Sequence, residues 1–365
     1  MEKSLKLRAG EWVEVRSKEE ILSTLDKNGQ LEALPFMPEM FAFCGKRLQV
    51  SKRAHKTCDP PNMVGRRMPT AVHLEDLRCG GEVHGGCQAG CLFFWKESWL
   101  KRVSDGRGPV GAPAPDYAKA GAMGSQRSGC TEKDVWAGTL APGGQTGVDG
   151  PIYVCQATRV TQSTQPIPWW DLRQYVEDYT SGNAQLSRIL AAFIFFVYHT
   201  LADAGFGFGS AMRWVYDVVQ KVRGGPPYPW RVGKVPKGMR TPTAKLDLRE
   251  GEMVRMKDYK QILETLDEEW KNRGLYFDAE MVPHCNGTYR VLKRVEQIID
   301  EKTGRMLKLK TPALILDGVV CQARYAKCRK LCPRAYYQYC REIWLERVSP
   351  APQDLPAEKL NQPAN

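Results

Sequence analysis

The stretch from residue 7 to residue 59 recurs, without a gap, from residue 248 to residue 300. The first begins LRAGEWVEVRSKEEILSTLD and the second LREGEMVRMKDYKQILETLD; the match runs on through Phe36, Glu39, Met40 and Cys44 over Phe277, Glu280, Met281 and Cys285. Val50, Lys52, Arg53 and Asp59 then fall over Val291, Lys293, Arg294 and Asp300. Each stretch continues to a group of cysteines and closes alike, with FWKESWLKRV at 94–103 and YCREIWLERV at 339–348. The unit is therefore about a hundred residues, the size of a domain and not of a solenoid period. Any fold for one stretch has to serve the other. The chain divides into a first repeat, 1–103, an insertion, 104–247, a second repeat, 248–348, and a tail, 349–365, whose composition predicts disorder.

Within the first repeat, Val13 and Val15 alternate with charged neighbours, the period of a half-buried strand, and Val254 and Met256 take their places in the second. Ser17 followed three residues later by Glu20 is a capping-box pattern, with Ile21, Leu22 and Leu25 on one helical face. Pro38 opens a further helical turn or two, RLQVSKRA (47–54) reads as a second strand, and TAVHLEDLR (70–78) as a third. The counterpart of that third strand, TPALILDGVV (311–320), is more apolar and so better buried. A helix over 87–103, carrying the cysteines, is expected to close the unit. The resulting class is α+β: a tandem repeat of a small SH3-like β-barrel with appended helices and a Cys-rich closing helix.

The insertion is not repeated. Residues 104–150 are rich in Gly, Ala, Pro and Ser and predict a surface loop, which Cys130 and Trp136 can pin down. GPIYVCQATRV (150–160) reads as a strand, and PIPWWDLRQYVEDYTSGN (166–183) as a helix opened by Asp171 and stopped by Gly182 and Asn183. The uncharged run ILAAFIFFVYHTLA, 189–202, is shorter than the roughly 20 residues a membrane-spanning helix needs. It reads first as a buried helix docking the two repeats, and second as a helix lying in a membrane interface.

The cysteines carry the chemistry. The first repeat holds Cys44, Cys79, Cys87 and Cys91, and the second Cys285, Cys321, Cys328 and Cys332. Four thiols per unit suit one metal centre per unit, the C-x3-C pairs pointing two thiolates at one ion from a shared helix face. Zinc is the first reading. An iron–sulfur cluster is the alternative, because the usual C-x2-C knuckle is absent and Pro333 follows Cys332 as in one bacterial cluster motif. His55, Cys58, His84 and Cys340 are possible additional ligands, as are Cys130 and Cys155 of the insertion. Buried thiols that simply pack as small hydrophobes are the bland alternative.

A net charge of +12 suits an acidic partner, a nucleic acid or an anionic membrane surface, as well as plain solubility. The one unusual basic run, without an acidic residue, carries Lys221, Arg223, Arg231, Lys234, Lys237 and Arg240. The opening residues lack the apolar core of a secretory signal, which points to the cytoplasm, at the membrane periphery if the apolar helix binds there. There is no G-x-S-x-G elbow, H-E-x-x-H pair or Walker loop, and the five histidines are scattered. The expected function is thus a non-catalytic, metal-stabilised interaction module with a protein partner. An iron–sulfur redox or biosynthetic enzyme, or a subunit of one, and a nucleic-acid-binding protein are the alternatives.

Overall fold

The computed structural model describes residues 4–103, 129–142, 150–204, 207–325 and 330–348. Cys328 and the tail lie outside the described residues.

The chain is a mixed α+β protein dominated by antiparallel sheets. Strands Trp12–Val15 (β1), Arg47–Arg53 (β2), Ala71–Leu74 (β3), Trp95–Lys96 (β4) and Leu100–Arg102 (β5) form one sheet in the order β4-β3-β2-β1-β5. Strands Met253–Met256 (β6), Thr288–Ile299 (β7), Met306–Val320 (β8), Tyr337–Cys340 (β9) and Leu345–Arg347 (β10) form another in the order β9-β8-β7-β6-β10. Val13 sits opposite Leu48 and Arg102, and Val254 opposite Tyr289 and Arg347. The alternation read at β1 holds, with Val13 and Val15 fully buried. A short helix, Lys18–Leu22 (α1), follows β1 with the Ser17–Glu20 capping box formed, satisfying two otherwise unpaired backbone donors. Its counterpart is the helix Tyr259–Leu263, capped by Asp258.

The same side-chain contacts lock each sheet. Trp99 Nε1 donates to Thr24 Oγ1 at 3.1 Å and Trp344 Nε1 to Thr265 Oγ1 at 2.9 Å. Phe36 meets Trp99 edge-on at 5.1 Å, and Phe277 meets Trp344 at 5.1 Å, a geometry that adds about 1 kcal/mol to simple burial. Glu97 accepts from the Leu7 amide (3.0 Å) and Arg53 (2.9 Å); Glu342 accepts from the Leu248 amide (3.4 Å) and Arg294 (2.8 Å).

Three expectations are corrected. Both sheets are open, with β4 and β5 at one pair of edges and β9 and β10 at the other, so no closed barrel forms among the described residues. The closing helix does not exist: 95–102 is strand, one 3-10 turn and strand, and 337–347 likewise. Two glycines explain why the cysteine segment is a loop. Gly90 has φ +62, and at Gly81 (φ +81) a Cβ would lie 1.7 Å from the Cys87 carbonyl oxygen, so the segment folds back on itself in left-handed conformations that a helix interior rejects. Finally, 150–160 is not a strand; it makes only isolated bridges at Ile152 and Tyr153 before a short helix at Val160–Ser163.

Between the sheets lie helices Glu132–Ala137 (α2), Arg173–Thr180 (α3), Leu186–Asp203 (α4) and Gly209–Arg223 (α5). Cys130 and Val135 pack on the first core while Trp136 is half exposed. Asp171 caps α3 from one residue outside its start, accepting from the Arg173 amide at 3.1 Å. The expected buried docking helix is α4, but only Ile189, Ala192 and Ala202 are buried. Leu186, Leu190, Ile194, Val197 and Leu201 form an exposed stripe, because the apolar run continues around the whole helix and its neighbours cover one side. At 18 residues with mean hydropathy 1.4, α4 is long and apolar enough to cross a membrane by length and composition.

Candidate metal centre

The first cysteine segment lies against β7 of the other sheet through Gln88, and Gln156 ties the segment after Cys155 to the first core. Gln88 Oε1 accepts from the Glu296 and Gln297 amides of β7 at 2.6 and 3.1 Å, and the Gln88 amide donates to the Gln297 carbonyl at 3.1 Å. Gln156 lies against the Phe94 backbone, accepting from its amide at 2.8 Å and donating to its carbonyl at 2.9 Å. Cys87 and Cys155 are thereby held over the same place. The Cys79 amide donates to the Cys91 carbonyl at 2.9 Å and closes the loop between them.

These residues surround a cavity of about 50 Å³, lined by Cys79, Cys87, Cys91 and Cys155 with His84, and walled by Met37, Phe93, Phe94 and Ile299. Such a volume has room for roughly three or four water-sized groups. Cys87 Sγ accepts from the Ile299 amide at 3.3 Å, a bond that suits a thiolate. Burial pushes the other three thiols up: Cys91 to about 12, Cys155 to about 11, and Cys79 higher still, with Glu39 adding to it. Left alone they stay protonated at neutral pH, and only a cation in the cavity makes ligands of them.

Beside the cavity, Cys79 Sγ lies 3.6 Å from Glu39 Oε1 and 4.0 Å from His84 Nδ1. Among the described residues, Glu39, Cys79 and His84 are the one group of three donors within 4.8 Å of one another. Burial lowers the His84 pKa to about 4, so the ring is neutral and able to ligate, and it raises that of Glu39. Glu39 Oε2 and His84 Nε2 are buried without a hydrogen-bond partner. Arg334 also lines the cavity; Glu301, 2.5 Å away, holds it charged against burial.

On the other side of Arg334 a second thiol group forms. Cys58, Cys321 and Cys332 are buried together with Ala323, and Cys58 and Cys332 are hydrogen-bonded. Arg334 Nη1 donates to the Cys58 carbonyl at 2.9 Å. Cys58 lies in the strand Lys56–Asp59 of the N-terminal part of the chain and the other two follow β8. Ile299, which falls under Cys58 in the ungapped overlay, makes the reverse crossing to Cys87.

Several predicted ligands lie elsewhere. Cys44 packs on the first core near Lys18, its thiol pushed up to about 11 by burial. Cys285 and Cys340 belong to the second core, away from both thiol groups. Cys130 sits against its neighbour's carbonyl. His55 contacts Asp178 at 3.4 Å and the Gln174 carbonyl at 3.1 Å; burial lowers its pKa to about 4. The basic run does not form one face: Arg231 pairs with Asp217 and Lys234 with Glu264, Lys221, Arg223 and Lys237 are exposed, and Arg240 lines a separate cleft. Sequence reading missed Glu39 as a donor, although its overlay on Glu280 marks it, and missed Arg334, which no spacing rule singles out. No protein-family model, curated protein or solved structure matches the chain.

Proposed function

We propose that the protein consists of two copies of one unit, 7–103 and 248–348, and that it carries an iron–sulfur cluster on Cys79, Cys87, Cys91 and Cys155. The observation that carries this reading is that four thiols line one apolar cavity, yet no three of them lie within 4.8 Å of one another. Four ligands at about 2.3 Å from a single zinc ion sit roughly 3.8 Å apart. A cluster spreads its thiolates wider. Bound there, it supplies one-electron chemistry. The chain's own residues shield it with Phe93, Phe94 and Ile299, offer the Ile299 amide to a sulfur, and place Arg334 as a fixed positive charge at its flank, the second-shell features that set a cluster's potential. Cys58, Cys321 and Cys332 are the described part of a second ligand set.

A zinc reading keeps one observation of its own, the compact Glu39, Cys79 and His84 group. The two separate on protein purified without oxygen: iron with acid-labile sulfide and a broad visible band supports the cluster, whereas colourless protein with stoichiometric zinc replaces it. Cys155→Ser distinguishes them further. It removes a cluster ligand and lowers iron, and it leaves the zinc triad intact.

A further inference from the structure

The two repeats differ in charge at one hairpin tip, and the difference opens a cleft. Lys96, almost fully buried, is neutralised by Glu32 at 2.6 Å and capped by the Pro69 carbonyl at 3.1 Å. Its counterpart in the second repeat is Arg341, also buried. The counterpart of Glu32, however, is Arg273, at the same left-handed turn position (φ 53 and φ 47). Arg341 therefore has only backbone carbonyls around it: Asn272 (3.3 Å), Pro312 (3.0 Å), Arg273 (3.0 Å) and Thr311. Four of its five donors are spent on them, so it contributes charge and rigidity more than free bonds. Burial lowers its pKa to about 10, which still leaves it protonated at neutral pH.

Around it opens a cleft of about 310 Å³ lined by Arg240, Lys245, Arg273, Arg294, Lys310 and Arg341. Its one acidic lining residue is Glu342, which is committed to Arg294 at 2.8 Å. Lys245 lies 3.4 Å from the exposed Asp247. Arg273 Nε is buried and without a partner. A buried guanidinium at the back, an unpaired one at the side and exposed cations at the rim are stable together only with a counter-anion, and the excess of charge favours a multivalent one.

We propose that this cleft binds a small phosphate-bearing anion, a phosphate ester or diphosphate, with Arg273, Arg240 and Lys310 as its direct contacts and Arg341 as the fixed charge behind them. Forked guanidinium donors match phosphate oxygens bidentately. The test is calorimetric titration of the full chain with inorganic pyrophosphate. Wild type binds saturably. R273E, which restores the carboxylate that the first repeat tolerates beside Lys96, weakens binding at least tenfold, as does K310A combined with R240A. A K221E/R223E variant, altered at the end of α5, is unchanged. Absence of saturable binding by wild type, or full affinity in R273E and in K310A/R240A, overturns the proposal. So does binding of a single-stranded oligonucleotide through these residues when pyrophosphate does not bind.

Discussion

The two five-stranded sheets share a frame and part company where they could do chemistry. In both, a glutamate accepts a backbone amide from the segment that leads into the sheet and an arginine from the second strand, and a tryptophan ties the closing turn to the helix end. The hairpins differ. In the second region β7 and β8 extend over 12 and 15 residues, pairing on through two register shifts. In the first, the corresponding strand stops at Arg53, and a separate hairpin, Lys56–Asp59 with Val64–Arg67, begins beyond Ala54 and His55. That hairpin turns Cys58 towards Cys321 and Cys332. The difference teaches that the contacts fixing the five-stranded sheets are shared, while the hairpin ends and cysteine segments beyond them diverge into sites.

The largest way to break this comparison is at the thiols. Cys91→Ser and Cys155→Ser are expected to remove the metal proposed for the first cavity and to destabilise the protein by several kcal/mol, since metal binding and folding are coupled; Cys44→Ser and Cys285→Ser are expected to leave metal content unchanged. Elemental analysis with thermal melting checks both. Next come the buried acids. Glu97→Ala takes from Arg53, whose side chain is 11% exposed, one of its two carboxylates, leaving Glu177 at 2.9 Å, and is expected to cost about 2 kcal/mol; Glu342→Ala takes from Arg294, at 32% exposed, the nearer of two, leaving Glu296 at 3.4 Å, and costs less, about 1 kcal/mol. Equal losses in denaturant titration would show that burial does not distinguish the regions.

Acid should act mainly on the first region. Burial lowers the pKa of His55 and of His73 to about 4, so between roughly pH 6.5 and 4 the unfolded chain takes up protons that the folded chain does not. Stability present above pH 6.5 is lost as pH falls through that window. His73→Gln, which can keep the 2.8 Å bond to the Phe93 carbonyl, is expected to flatten that slope, and an unchanged slope would remove His73 from the account. The smallest effect sharpens the likeness: Thr24→Val and Thr265→Val each lose one indole hydrogen bond and should each cost about 1 kcal/mol.

Much of the sheet framework is readable from the chain because it rests on local rules. The period of two at Val13 and Val15, the Ser17–Glu20 cap and the apolar run at 311–320 each report a physical preference of a few neighbouring residues. The closing segments mislead because the apolar content of FFWKESWL suits a helix face as well as a strand edge, and the left-handed backbone at Gly90 with the close approach of Gly81 to Cys87 decides against the helix. The ligand sets are legible as cysteine pairs but not as sites. Nothing in the spacing says that Cys155 joins Cys79, Cys87 and Cys91, or that Cys58 meets Cys321 and Cys332, because those meetings depend on long-range contacts: Gln88 with β7, Gln156 with Phe94, and Arg334 with the Cys58 carbonyl.

The meeting of Cys58 with Cys321 and Cys332 is the central claim, and Cys58→Ser tests it most directly through metal and acid-labile sulfide per chain, with wild type and Cys155→Ser measured alongside. The account predicts that Cys58→Ser and Cys155→Ser each lose part of the metal, that the double variant loses nearly all of it, and that the Cys58→Ser loss equals that of Cys332→Ser. Full metal content in Cys58→Ser, with Cys332→Ser depleted, would contradict it and confine each centre to the cysteines of its own region.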